Sequence, residues 1–202
     1  VIATEDRNFL KHVGVDPIGI ARAVFYILRE GRKGPGGSTI TMQVARNFFL
    51  DRGEPFTRKL TEILLALKIE QELSKDEILE LYLNKIFMGH RAYGVGAAAQ
   101  VYYGRRADEL TLAQMAMIAG LPQRPSEFNP ISNPRQAKRR RDHVLVRMAV
   151  EGVINEQELN AATAAPLTAG LHDPPVEVNA PYLAEMVRIE IKRRFGETAF
   201  NT

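Results

Sequence analysis

Apolar residues recur along this chain at helical rather than strand spacing, and that periodicity limits the available folds more than any other feature. Leu60, Ile63, Leu64, Leu67 and Ile69 follow a period near 3.6 and predict a helix over 57–73, with Thr57 as its cap. Residues 17–30 form an apolar helix opened by Pro17, whose fixed φ suits a first turn. A second helix is expected from Ser38 or Thr39. Ser74, followed three residues on by Glu77, has the pattern of a capping box opening a helix that runs through Leu83. Shorter helical pieces fall at 96–102 and 111–120, then a proline-marked loop from Pro122 to Pro134. A basic helix over 135–151, another over 155–164, a linker over 166–181 and an amphipathic helix over 182–195 complete the pass. Alternating patterns are scarce, and there is no internal repeat or low-complexity tract. The expected class is mainly α.

A chain of 202 residues suits one domain with a real core. Its 45% hydrophobic and 25% charged content is that of a globular protein. Cysteine is absent, which excludes disulfides, cysteine-ligated zinc and a thiol nucleophile. The four histidines, His12, His90, His143 and His172, lack metal-ligand spacing, so structural zinc is not expected. A net charge of +3 and a pI near 9.2 suit an anionic ligand or membrane surface. No segment is long and apolar enough to span a bilayer. The start at Val1, already inside patterned sequence, reads as a piece of a longer chain with an anchor upstream.

Five short segments stand out. They are Glu5-Asp6-Arg7-Asn8-Phe9 with His12, Gly14 and Asp16; Gly36-Gly37-Ser38-Thr39-Ile40-Thr41-Met42-Gln43; Arg58-Lys59-Leu60-Thr61-Glu62; Lys75 to Asn84; and Arg140-Arg141 with Val144-Leu145. In this order they resemble the five motifs of family 51 glycosyltransferases, the peptidoglycan-polymerising domains of class A penicillin-binding proteins. The resemblance is specific over residues 1–165. It implies a lysozyme-like α fold with a small membrane-proximal jaw at about 24–57, and a linker over 166–202 leading toward a transpeptidase domain. Ala180-Pro181-Tyr182 and Glu185-Met186-Val187 resemble that connector. The transpeptidase's Ser-x-x-Lys and Lys-Thr-Gly motifs are absent, so these residues are not expected to cross-link peptides or bind penicillin.

The implied reaction is polymerisation of lipid II into β-1,4-linked glycan strands, with inversion and release of polyprenyl diphosphate. Such a transfer needs a base for the acceptor hydroxyl and cationic help for the leaving group. By resemblance Glu5 is the base, and Glu62 lies near the donor diphosphate, where it helps arrange its cationic partners or a metal ion. The same resemblance assigns substrate contacts to Asp6, Phe9 and His12, to Arg22 on the next helix, and to Ser38, Thr39, Thr41, Gln43 and Arg46. Arg58, Lys59 and Asn84 complete the set. It also implies a divalent cation, Mg²⁺ or Mn²⁺, held loosely with the diphosphate rather than by a dedicated cage. The partners are then lipid II, the growing lipid-linked glycan and the membrane at the periplasmic face of the bacterial inner membrane.

Local chemistry leaves alternatives beside these roles. Glu5 also suits a first-turn helix carboxylate. Glu62 has the i,i+4 spacing of a surface pair with Arg58. The segment 36–39 fits either a phosphate-binding helix start or a turn with an N-cap. Ile78, Leu79, Tyr82 and Leu83 read as core, with Asn84 tying down the helix end. The run Lys138-Arg139-Arg140-Arg141 reads as a salt-linked scaffold helix; it has no stacking aromatics, and nucleic acid is not an expected partner. Val24, Phe25, Ile27, Leu28, Phe48, Phe49, Leu50 and Phe56 suit either the membrane surface, beside Arg29, Arg32 and Lys33, or the core. Two positions depart from the family pattern. Met42 replaces the first of two glutamines, and Glu54 stands where a basic residue is usual, with Arg52 close enough to substitute. The alternative function is a lytic enzyme cleaving the same glycan, which has no need of a cationic diphosphate site.

Overall fold

The computed structural model describes residues 1–31, 37–50, 55–173 and 181–196. Its helices are α1 (Ile2–Glu5), α2 (Pro17–Glu30), α3 (Ile40–Phe49), α4 (Pro55–Glu72), α5 (Lys75–Lys85), α6 (Val95–Tyr103), α7 (Leu112–Gly120), α8 (Pro134–Val150), α9 (Glu156–Ala164) and α10 (Pro181–Phe195). A short 3₁₀ turn spans Ala107–Glu109. Among the described residues the β geometry is limited to an isolated bridge between Phe87 and Tyr93.

Local chemistry sets the helix ends. Ser74 and Glu77 form the expected capping box, and Thr111–Gln114 and Asn155–Glu158 form two more. Each such cap contributes about 1 kcal/mol. Thr39 caps α3 by accepting from the Met42 amide, which places the helix start one residue after the expected position. The fourth helix begins at Pro55, not after Thr57. Proline at a first-turn position loses no hydrogen bond, so Pro55 sets the boundary and Thr57 lies inside the helix.

Helix α3 lies at the centre of the site-bearing half, packed against α4 and α5. Ile40, Val44 and Ala45 from α3 join Phe9, Ile78, Tyr82, Met88, Tyr102 and Leu121 in the larger core. A second core joins α7, α8 and α9 through Ala113, Ala116, Val144, Leu145 and Ala162; the small residues of α7 allow close helix approach. Arg141, only 1% exposed, donates to the carbonyls of Ala165 and Thr163 at 2.8 and 2.9 Å. It thereby satisfies carbonyls at the C-terminal end of α9.

The helical period in α4 locates the helix but not its buried side. Leu60 and Leu64 are exposed, whereas Ala66 and Ile69 are buried. Of the apolar residues that suit either membrane or core, Phe25, Leu28, Phe48 and Phe49 are exposed at 63%, 80%, 42% and 63%. These four are therefore not core. The side chains of Val24, Ile27 and Phe56 lie outside the described residues, as do Arg32, Lys33, Gly36, Arg52 and Glu54. None of the described helices is long and apolar enough to cross a membrane.

Candidate active site

Glu5 ends α1, the first helix, which packs against α8. Its Oε1 accepts from Arg140 Nη2 at 2.9 Å, and both side chains are 9% exposed. Gln43, from the buried face of α3, hydrogen-bonds the same carboxylate. Burial raises the Glu5 pKa above the ordinary glutamate value, while Arg140 and the Gln43 hydrogen bond act in the opposite direction. Tyr82, fully buried on α5, also feels this charge: burial, then the Glu5 carboxylate, push its phenol pKa upward, and Arg46 on α3 opposes them. Glu5, Gln43, Arg46, Tyr82 and Arg140 thus form one electrostatic group.

A second group sits at the start of α3. Glu62 on α4 is 2% exposed, and its Oε2 accepts from Lys59 Nζ at 2.8 Å. Arg58 Nε lies 3.7 Å from the other oxygen. Lys59 also donates to Ser38 Oγ at 2.7 Å. The carboxylate is buried but its cations are not: the Arg58 and Lys59 side chains are 37% and 43% exposed. Glu62 thus gathers two cations at the start of α3 while a large part of each side chain stays exposed, an arrangement suited to an anionic ligand. Ser38, just before the cap of α3, and Gln43, in its first turns, connect the two groups through the start of that helix.

Other expected contacts are taken up in architecture. Asp6 Oδ2 accepts from the Ile40 amide, the first of α3, at 2.9 Å and from His12 Nε2 at 2.9 Å. His12 Nδ1 accepts from the Gly14 amide at 3.1 Å, which assigns the remaining ring proton to Nε2. Thr39 Oγ1 donates to the Gly14 carbonyl at 2.6 Å. Gly14 has φ +91°, and a Cβ there would meet the Ala66 carbonyl oxygen at 2.6 Å, so only glycine permits this approach to α4. Asp6, His12, Gly14 and Thr39 accordingly staple the first loop to the start of α3. This changes the expected role of segment 36–39. Thr39 is the N-cap, and the Asp6 carboxylate occupies the helix start where a phosphate was one reading.

Phe9 is fully buried, with Lys75 Nζ 4.6 Å from its ring centroid, so its ring packs inside the chain. Thr41 is also fully buried and donates to Glu70 Oε1 at 2.6 Å; that oxygen accepts from Lys75 at 2.7 Å as well. Arg22 is exposed on α2, and Asn84 is exposed in the last turn of α5. Sequence reasoning placed Arg140 on a scaffold helix and missed its carboxylate partner. A signal was present: Arg140 and Arg141 lie four residues before Val144 and Leu145, which puts them on the buried face of α8.

Among the described residues, no group of three or more His, Cys, Asp or Glu side chains can hold a metal ion. The acidic groups at hand are already paired, Glu5 with Arg140 and Glu62 with Lys59 and Arg58. The described residues do not fit a protein-held cation, and what they offer a diphosphate is the positive charge of Arg58 and Lys59.

The transglycosylase family model matches residues 1–149. Penicillin-binding protein 1A of Escherichia coli is 54% identical over 199 residues, 98% of this chain and 23% of that protein. The Pseudomonas aeruginosa protein of the same name is 52% identical over 200 residues, 99% of this chain and 24% of its own length. The crystal structure of penicillin-binding protein 1A from Haemophilus influenzae superposes with a TM-score of 0.52 at 41% identity, covering 79% of this chain and 21% of that one. The chain thus spans about a quarter of the length of these relatives. With the family model matched across Glu5, Glu62 and the helices that carry them, the chain belongs to the transglycosylase family.

Proposed function

We propose that this chain is a peptidoglycan glycosyltransferase that polymerises lipid II with inversion. The observation that carries the reading is the buried Glu5 carboxylate at the end of α1, paired with Arg140 and facing Gln43 of α3, with the Arg58, Lys59 and Glu62 group of α4 gathered at the start of the same α3 through Ser38. Glu5 takes the proton of the acceptor's sugar hydroxyl. That oxygen bonds to the anomeric carbon of the donor, and the bond from this carbon to the lipid diphosphate breaks. The proton resides on Glu5 until solvent removes it. A buried carboxylate with a raised pKa is a stronger base than an exposed one.

Lys59 and Arg58 receive the negative charge that grows on the diphosphate as the bond breaks, and Glu62 holds them in place. The chain's own contribution to this charge neutralisation is the pair of cations Arg58 and Lys59; a divalent cation carried in with the diphosphate would add to it. The exposed Phe25, Leu28, Phe48 and Phe49 suit the acyl–headgroup boundary, as a polyprenyl-linked substrate requires. The reaction belongs at the periplasmic face of the inner membrane, with a transpeptidase domain following in the full-length protein. The cationic group also separates this reading from a lytic one, since hydrolysis of a glycan has no diphosphate to stabilise.

The test incubates the protein with lipid II in detergent and Mg²⁺, and separately with preformed glycan strands. Growth of glycan strands supports the proposal. Cleavage of the preformed strands, without polymerisation, replaces it with the lytic activity.

A further inference from the structure

Arg140 reaches Glu5 from a helix 135 residues away in sequence. Three contacts fix its guanidinium. Nη2 donates to Glu5 Oε1 at 2.9 Å, Nε donates to the Gly120 carbonyl at 3.2 Å, and the group lies 5.5 Å from the Phe128 ring centroid. Gly120 leaves room for the stem, because a Cβ there would stand 2.9 Å from Arg140 Cγ. The guanidinium is therefore held by α7, α8 and the loop after α7, independently of α1.

We propose that Arg140 is a positioning residue that keeps the Glu5 carboxylate ionised and aimed, and so sets the pH range in which the base works. The proposal rests on Glu5 being the base. Burial alone would drive a carboxylate at this position to bind its proton too tightly to act near neutrality. A fixed guanidinium at 2.9 Å opposes that effect without competing for the proton, because arginine does not titrate in this range. Once Glu5 accepts the substrate's proton, its ion pair is lost, which favours return of the proton to solvent. The other charged or titratable groups facing Glu5 are the phenol of Tyr82, with Arg46 beyond it, and the α-amino group of Val1, which any residue preceding Val1 would convert to an uncharged amide. On the α8 side, His143 and Arg147 neighbour Arg140, and Arg147 donates to the Ala3 carbonyl at 3.4 Å. Among these groups, only Arg140 forms an ion pair with Glu5 among the described residues.

The experiment measures lipid II polymerisation against pH for the wild type, Arg140→Met, Arg140→Lys and Glu5→Gln, each in the full-length protein. Circular dichroism checks that each variant is folded. Removing an opposite charge at contact distance raises a carboxylate pKa by roughly one unit or more. In Arg140→Met the acidic limb should therefore move up by at least about one pH unit. In Arg140→Lys, which keeps the charge but loses the fork geometry, it should move less. If Arg140→Met does not fold, the Arg140→Lys limb alone decides, with an upward shift of a few tenths of a unit expected. A limb that stays in place in every folded Arg140 variant overturns the proposal, even if the plateau rate falls. Glu5→Gln reports on the underlying reading: if it retains wild-type polymerisation, Glu5 is not the base and the premise fails first.

Discussion

Replacing Asp6 with alanine should damage the fold before it damages chemistry. Asp6 is buried and its carboxylate accepts two buried donors, the Ile40 amide at 2.9 Å and His12 Nε2 at 2.9 Å. Stranding each donor costs about 1–3 kcal/mol. Losing an anion at the start of α3 adds about 0.3–1 kcal/mol. The expected loss is about 2–7 kcal/mol, a large share of the roughly 5–15 kcal/mol that holds a domain together. At about 2–4 °C per kcal/mol for a domain of this size, Tm should fall by roughly 5–28 °C. Asp6→Asn should lose about half as much, because its carbonyl serves one donor while its amide faces the other. Thermal denaturation followed by far-ultraviolet circular dichroism gives the shift, and polymerisation measured well below the lowered Tm gives the activity. If Asp6→Ala melts within about 2 °C of wild type yet has lost activity, Asp6 acts on the substrate and the staple argument is wrong.

Three further outcomes follow from the same geometry. Lys59→Ala should lower kcat/KM at least about tenfold through lost diphosphate stabilisation, and Tm should fall as well because the buried Glu62 carboxylate loses its 2.8 Å partner; steady-state kinetics below the lowered Tm, with a parallel melt, checks both. Arg141→Met, the neighbour of Arg140, should lose about 2–4 kcal/mol in urea unfolding by leaving the Ala165 and Thr163 carbonyls unpaired, yet leave the pH profile of the folded enzyme in place. Burial raises the Glu5 pKa on folding, so the native state binds the proton more tightly than the unfolded chain. Stability from this group is then present below the ordinary glutamate value and declines as pH rises toward the raised one. The difference in Tm between wild type and Glu5→Gln, measured across that range, should shift against wild type with rising pH.

Much of the helical framework was legible because its signals are local. Pro17, the Ser74–Glu77 box and the 3.6-residue period in α4 each act within a turn or two, so they survive in a linear reading. The failures were also physical. Thr57 has the chemistry of a cap, but Pro55 two residues earlier already supplies a helix start. Periodicity located α4 without saying which side faces the core, and Leu60 and Leu64 are outside. At the site, the contiguous Arg58-Lys59 pair and Glu62 fell together as one turn of helix predicts. The Glu5–Arg140 pair had no such spacing to reveal it, since it joins two helices distant in sequence that meet only in the folded chain. Asp6 and Thr39 carry the residue types of a binding site, and only the three-dimensional structure shows that each uses its oxygens on the chain itself.

The central claim is that Glu5 is the base of a glycosyl transfer. Its most direct test is lipid II polymerisation in detergent with Mg²⁺, wild type against Glu5→Gln, with products separated on a gel. Loss of a general base should slow the reaction on the order of a hundredfold or more, so wild type should build glycan strands and the folded variant almost none. A folded Glu5→Gln protein that polymerises at the wild-type rate would contradict the account.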